Sequence, residues 1–593
     1  MCLFCSRATV KQVCLPYEYK EEIMTPPEFD MASECQRLSR AADRWKNIPP
    51  RERAELAMRT AHSVGVESEA WVRAAVAMKS VGPDGQDACT DRLLSVLQAE
   101  ECANGPLATL RLLFLTAEAL RSIGKVGVPD VSVRPRITHG QNQIHESPFG
   151  SPSSFVSVDV LPISRLHDAT IFRGHRATVR CANTGSVETF MKLWKEECRS
   201  GSDAEGVAVV LGAGNVTGLA AADAVSQIFE HGRAVLLKLH PVQDSLASIL
   251  RAALKPLEEA GLLRVVVGGA ALVSDAIRAE EITAMHLTGG EETFRSVVSS
   301  NESELRTKSI TCELGNVTPW VVVPGNYSEK DLFFQADQIA ASIANNSSFN
   351  CIATKVVLTS RHWAQRQRFL DRIDQRLRSL PARPAWYPGA ADLHQKATGE
   401  PVSNGCLQPK LLRDVHQESH PHWFAREWFI PIAVETTVEG ESIEDFCAAV
   451  SQVVHDLPGN LAASVTRPDG MATHDEARVE LFIEHVRYGV VAVNAWSALA
   501  YAVGNIPWGG FPGGTIEAPE SGLGYVHNPY FLPLVQNSIL RSPLRVWPTP
   551  PWFPWHSKGG RLAKGVAEMY SAIAAGKSGL WNLVGMVPDV FRG

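Results

Sequence analysis

A chain of 593 residues has room for two or three domains of ordinary size. With 45% hydrophobic and 20% charged residues it reads as a globular protein, and a net charge of −7 without a basic block excludes a nucleic-acid surface. Twelve cysteines without repeated spacing read as free thiols in a reducing compartment, so the expected location is cytoplasmic. The start of the chain lacks an apolar core of signal-peptide type. The longest apolar stretch, 489–506, carries Asn494, Ser497 and Asn505 and stops at Pro507, so no membrane span is expected.

In chain order, Cys2-x-x-Cys5 has no second pair with which to build a zinc site. Residues 36–125 alternate apolar helical positions with charges, as in Arg51-Glu52-Arg53-Ala54-Glu55-Leu56, and predict a helical layer. Residues 132–155 are rich in Ser, Pro, Gly and His and predict a long loop. From 206 the texture changes. The run 206–211 predicts a buried strand, 217–231 a helix ended by Gly232, and 234–238 the next strand. A helix over 245–260 and a strand over 263–267 follow. A strand over 284–287, a helix from Glu291 and a strand over 320–323 continue the alternation. This is the pattern of a parallel sheet with crossover helices.

A second α/β segment covers about 330 to 510, with strands at 354–359, 430–435, 462–465 and 490–494. His416, His420 and His422 are interrupted by Pro421 and lack a cysteine partner, so they read as a solvated loop and no metal site is expected. The segment Trp547-Pro548-Thr549-Pro550-Pro551-Trp552-Phe553-Pro554-Trp555 excludes a helix or a central strand. A short helix over 563–575 follows it.

Three side chains suggest chemistry by their order. Asn215 closes Leu211-Gly212-Ala213-Gly214-Asn215, Glu313 opens Glu313-Leu314-Gly315, and Cys351 follows a polar stretch from Asn345. Taken singly, they read as a turn residue, a surface charge and an inert buried thiol. Taken together, they are an amide, a carboxylate and a thiol. Those groups suffice to oxidise an aldehyde through a thioester: a thiolate adds to the carbonyl, fixed donors hold the oxyanion, and a carboxylate activates the hydrolytic water. Lys238, Thr288-Gly289-Gly290, Glu427-Trp428-Phe429-Ile430-Pro431 and Pro507-Trp508-Gly509-Gly510-Phe511 fall in sequence around them.

This order and spacing resemble the aldehyde dehydrogenase superfamily over roughly residues 200–530. The resemblance implies an α/β fold of two domains with parallel-rich sheets, plus a terminal arm used in oligomerisation. The expected division is an N-terminal extension over 1–35, a helical layer and dinucleotide-binding domain over 36–325, a catalytic domain over 326–515, and a C-terminal arm and extension over 516–593. It also implies oxidation of an aldehyde to a carboxylate by a homo-oligomer. Cys351 would be the nucleophile, Glu313 the general base and Asn215 the oxyanion amide. NAD or NADP would lie against Lys238, Gly289, Gly290, Leu314, Glu427 and Phe429. The pattern Gly212-x-Gly214-x-x-x-Gly218 with Lys238 at the end of the second strand departs from an ordinary dinucleotide fingerprint, whose second strand ends in an acid. Pro241 stands where many relatives carry an acid for the adenosine ribose, which leaves NAD and NADP both open. Phe349-Asn350, Gly290 and Asn316 are further departures.

Two other readings accompany this one: a CoA-acylating enzyme or acyl-CoA reductase on the same scaffold, and a catalytically silent relative acting as a binding protein. Glu313 speaks against the first, because a base for water is superfluous there. Leu112 to Leu115, Trp496 and Tyr501 are expected to line the aldehyde entrance, which points to a hydrophobic substrate. The Trp/Pro-rich tail is expected to pack on a neighbouring subunit.

Overall fold

The computed structural model describes residues 30–82, 90–131, 133–139, 154–163, 167–200 and 206–591. The helical layer consists of α1 (Met31–Trp45), α2 (Pro50–Lys79), α3 (Asp91–Cys102) and α4 (Ala108–Val126). The chemistry at their ends explains where they start and stop. Asp30 and Thr90 cap α1 and α3 with their side chains, and Pro50 occupies the first position of α2. Gly127, at φ 84°, closes α4.

Among the described residues eighteen strands follow. They are β1 (Arg136–His139), β2 (Ser154–Leu161), β3 (Arg176–Ala182), β4 (Val207–Leu211), β5 (Ala234–Lys238) and β6 (Leu263–Val266), then β7 (Ile282–Gly289), β8 (Ser309–Leu314), β9 (Pro319–Val322), β10 (Val356–Ser360), β11 (Arg383–Pro384) and β12 (Cys406–Leu407). The last six are β13 (Lys410–Leu412), β14 (Ile432–Val438), β15 (Ala462–Thr466), β16 (Val490–Val493), β17 (Gly522–Leu523) and β18 (Val535–Arg541).

The smaller of the two large sheets has the order β17-β8-β7-β4-β5-β6, parallel except for β17. The larger runs β1-β2-β3-β18-β16-β15-β9-β10-β14-β13; it is parallel from β18 onward and antiparallel before it. β4 and β16 are buried along their whole length, as strands covered on both faces must be.

Several expectations change. Residues 136–139 and 154–155, expected within a long loop, belong to the antiparallel strands β1 and β2; 140–153 lie outside the described residues, as does Cys2-x-x-Cys5. The helix expected over 245–260 is divided at Leu254, ahead of Pro256, which cannot continue the hydrogen-bond ladder. β8 and β18 were not anticipated, and β18, from the segment expected as an arm, lies inside the larger sheet.

The Trp/Pro-rich tail packs on its own chain. Trp552 meets Trp496 at 5.4 Å between rings, and Arg376 lies 4.4 Å over Trp555. The helix Gly559–Ala574 then packs across α2, α3 and α4. It crosses α2 at Gly65, where a Cβ would overlap the Ser571 hydroxyl. Buried Arg111 of α4 fixes the arrangement: it donates to Val503 O, to Tyr570 Oη, to Asp168 at 3.0 Å and to Asn505 Oδ1 at 2.5 Å. A final helix, Leu580–Val590, leaves Trp581, Val584, Val587 and the following Phe591 exposed, with Trp547 against Phe591. Among the described residues no helix is long and apolar enough to cross a membrane.

Candidate active site

The parallel strands β4, β5, β7 and β8 run side by side, so their C-terminal ends share one edge of the smaller sheet, where ligands of open α/β sheets collect. β4 delivers Gly212 to Asn215, β5 ends on Lys238, β7 on Gly289, and β8 carries Glu313 and Leu314. Gly214 lets this turn lie against His240; a Cβ there would stand 2.5 Å from the imidazole Nδ1. A cavity of about 1010 Å³ opens at this edge and extends to the larger sheet. Asn215, Lys238, Gly289, Gly290, Glu313, Leu314, Cys351, Glu427 and Phe429 all line it.

Cys351 arrives by a strained route. The helix Glu329–Ala344 gives way to the turn Asn345–Ser348, in which Asn346, Ser347 and Ser348 have φ of 49°, 54° and 61°. Non-glycine residues avoid that left-handed region, at a cost of roughly 1–3 kcal/mol each. The turn, expected as an accessible loop, is buried, while Cys351 itself stays partly exposed. Its Sγ lies 3.6 Å from Glu313 Oε1 and 3.9 Å from Asn350 Oδ1. Thr318 Oγ1 donates to Cys351 O at 2.9 Å, and Trp496 Nε1 donates to Ile352 O at 2.7 Å. The Asn215 amide donates to Phe349 O at 3.1 Å.

The electrostatics keep protons in place. Burial, then the charges of Glu313 and Glu427, push the Cys351 thiol well above the ordinary range. Burial and the Asp223 carboxylate push Glu313 up. Behind Glu313, Asp223 accepts from Thr288 Oγ1 at 2.9 Å and pairs with His527 at 2.9 Å. The Trp508 indole hydrogen-bonds the Glu313 carboxyl and opposes that rise.

Across the cavity, burial pushes Glu427 up to about 7, against the pull of Lys355 and Arg426. Its Oε1 is unpartnered. Gly315 lies so close to this carboxylate that a Cβ would overlap Oε2. Lys355, which sequence reasoning missed, donates to Ser348 Oγ at 2.9 Å, Ser348 O at 3.2 Å and Ile430 O at 3.3 Å. Burial lowers it to about 8, with Glu427 and Cys351 opposing. Tyr387 and His240 were also missed; their rings stack at 6.2 Å, and Tyr387 meets Phe429 at 5.2 Å. No local signal marks them, because they join the site only through the fold.

At the other end of the cavity Lys238 is half-buried, and burial lowers it. A Cβ on Gly290 would meet nothing within 4 Å, so the backbone there opens to the cavity just before the helix Glu291–Ser300. A helix N-terminus beside a lysine suits a phosphate-bearing ligand, and the unpaired Glu427 oxygen suits a ribose hydroxyl. The donor set and the volume of the cavity therefore fit a dinucleotide.

The residues expected at the aldehyde entrance are buried or half-buried. Leu112, Leu113, Leu115 and Trp496 are buried core side chains. Tyr501 packs between Trp508 and His527 at 5.4 and 5.6 Å. Their apolarity serves packing against the C-terminal segment. Asn316 sends its amide to Ala462 O at 3.1 Å, tying the end of β8 to β15.

Residues 172–391 match the family model described as "Aldehyde dehydrogenase family". No curated protein sequence matches the chain. Solved structures share its fold. An indole-3-acetaldehyde dehydrogenase complexed with NAD+ aligns at 16% identity, covering 86% of this chain and 89% of its own, with a TM-score of 0.56. The gamma-glutamyl-gamma-aminobutyraldehyde dehydrogenase from Burkholderia cenocepacia J2315 aligns at 15%, covering 86% and 88%, with a TM-score of 0.57. The NADP-dependent glyceraldehyde-3-phosphate dehydrogenase from Bacillus halodurans C-125, complexed with NADP, aligns at 16%, covering 86% and 90%, at 0.53. At such identities the likeness speaks for the fold. The family match spans Asn215, Lys238, Glu313 and Cys351, so the segment that carries them is similar to the aldehyde dehydrogenase family, and the chain as a whole shares the fold of the solved aldehyde dehydrogenases.

Proposed function

We propose that this protein oxidises an aldehyde to a carboxylate with NAD or NADP as the electron acceptor. The observation that carries the reading is the 3.6 Å approach of Cys351 Sγ to Glu313 in a cavity that also presents Lys238, Gly290 and Glu427.

Each residue has a defined task. Glu313 takes the thiol proton, and the Cys351 sulfur adds to the aldehyde carbon. An amide NH2 carries two hydrogens; Asn215 commits one to Phe349 O and keeps the other for the oxyanion, alongside the Cys351 backbone N–H. Bound NAD or NADP supplies the hydride acceptor. Lys238, Gly289 and Gly290 hold its adenosine and phosphate end, while Leu314, Glu427 and Phe429 hold the nicotinamide end. Glu313, having passed the first proton to solvent, takes a proton from water as the oxygen attacks the thioester, and Cys351 departs as the leaving group.

The exposed apolar group Trp547, Trp581, Val584, Val587 and Phe591 supports self-association, since a monomer gains nothing by leaving such a face in water. Among the described residues Cys35, Cys102, Cys181, Cys198, Cys312, Cys351 and Cys447 are free thiols, which supports a cytoplasmic setting.

The test is spectrophotometric. Purified protein, an aldehyde panel and NAD or NADP should give the reduced-nicotinamide absorbance without added CoA, and Cys351→Ala should abolish it. A strict requirement for CoA would replace this reading with the acylating one. Absence of turnover and of cofactor binding would leave a silent relative.

A further inference from the structure

A cluster of four buried charges lies behind the catalytic turn, outside the cavity. Lys79, the last residue of α2, is 1% exposed. Its ammonium has three hydrogens and spends all three: on Glu101 Oε1 at 2.6 Å, on Asn346 Oδ1 at 2.9 Å and on Asn215 O at 3.0 Å. Glu101 also accepts from Thr217 Oγ1 at 3.1 Å. Beside it, Glu100 accepts from Asn346 N at 3.2 Å and binds Arg383 through two bonds of 2.7 and 2.8 Å.

We propose that Lys79, braced by Glu101, is a positioning residue: it fixes the Asn346 amide and thereby the placement of Cys351 and Asn215. This rests on the aldehyde-oxidising reading of the site. Because Asn346 Oδ1 faces an ammonium, its Nδ2 must point the other way. There it donates to Asn215 O at 2.9 Å and to Phe349 O at 2.8 Å. Phe349 O is the same atom that receives the Asn215 amide. One side chain from the helical layer thus orients both the candidate oxyanion donor and the backbone two residues before the nucleophile. The left-handed run Asn346–Ser348 opposes its own backbone preference and persists only under such external hold. A buried ion pair is poor evidence of stabilisation, and a pair serving stability alone would not direct one lysine hydrogen at this turn and another at the Asn215 carbonyl.

Two variants test the proposal. Lys79→Met with Glu101→Gln removes both charges together, so neither is left buried alone. Asn346→Gly keeps the backbone conformation and deletes the amide. Three quantities are read on each: kcat at saturating aldehyde, the NAD or NADP dissociation constant by tryptophan fluorescence, and iodoacetamide alkylation of Cys351, followed by peptide mass without cofactor.

We expect kcat to fall on the order of 10²-fold, as for a misplacement of about 1 Å. The alkylation rate should change several-fold and the cofactor constant less than twofold. Lys79→Arg should recover part of kcat. Folded variants with wild-type kcat and alkylation rate, and only a lower melting temperature, overturn the proposal. If the double variant does not fold, Asn346→Gly decides by the same readings. If the wild type oxidises no aldehyde, the alkylation rate decides alone: changed, the positioning role stands while the proposed reaction falls; unchanged, both fall.

Discussion

Cys351 Sγ stands nearer to Glu313 Oε1, at 3.6 Å, than to Asn350 Oδ1, at 3.9 Å. Burial, with the negative charges of Glu313 and Glu427, raises the thiol well above its ordinary value. At neutral pH the resting sulfur is therefore protonated, and its alkylation should accelerate as pH rises. Glu313→Gln removes one of the charges responsible, so the alkylation curve should move to lower pH. Steady-state oxidation should at the same time fall by about 10²–10⁴, the usual worth of a general base. An unmoved alkylation curve would sink this account of the pair.

Glu427 offers a second pH signature. Its folded value is raised to about 7, chiefly by burial. Between the unfolded value of about 4.3 and 7, the folded protein holds a proton that the unfolded chain has released, so stability drops as pH rises across that window. Glu427→Gln should remove the effect. Relative to wild type, its melting temperature should climb from pH 5 to pH 7 and then level off, while cofactor affinity falls about tenfold, or ~1.4 kcal/mol. A pH-independent difference in melting temperature would contradict the assignment.

Two glycines should respond to alanine in opposite ways. At Gly315 the new methyl meets the far end of the Glu427 side chain, which has rotatable bonds. The expected result is a folded protein with a raised KM for the cofactor. At Gly489 it meets the Gly509 backbone carbonyl, which has no room to yield. The expected result there is loss of soluble protein, read by expression and circular dichroism.

Arg111 carries the junction of α4 with the C-terminal segment. Arg111→Met leaves Asp168 buried without its 3.0 Å partner, and should cost about 3–5 kcal/mol in urea unfolding. Tyr570→Phe removes only one neutral partner and should cost about 1 kcal/mol. Equal effects would show that the charge of Arg111 is irrelevant to its role.

Much of the parallel architecture was legible because β4, β5 and β16 are continuous apolar runs. β8 was not, since Thr311 and Glu313 interrupt its apolar pattern to serve the Asp223 network and the cavity. β1 and β2 were hidden by a connecting segment rich in turn-forming residues. The candidate site residues were legible because they lie in local motifs of fixed order. Lys79 was not: it is 267 positions from Asn346, and a lysine at a helix end reads as a solvated charge. Only the fold brings α2, α3 and the Asn345–Ser348 turn together, and that proximity leaves no trace in local periodicity.

The contact between Arg111 and Tyr570 joins positions 459 apart. While the chain is being made, α4 emerges long before the helix that will cover it. The nascent protein must carry the uncovered face of α2, α3 and α4 through the synthesis of both sheets. Contacts closed so late slow folding and lengthen exposure to aggregation. That face is covered only once the helix Gly559–Ala574 has been made.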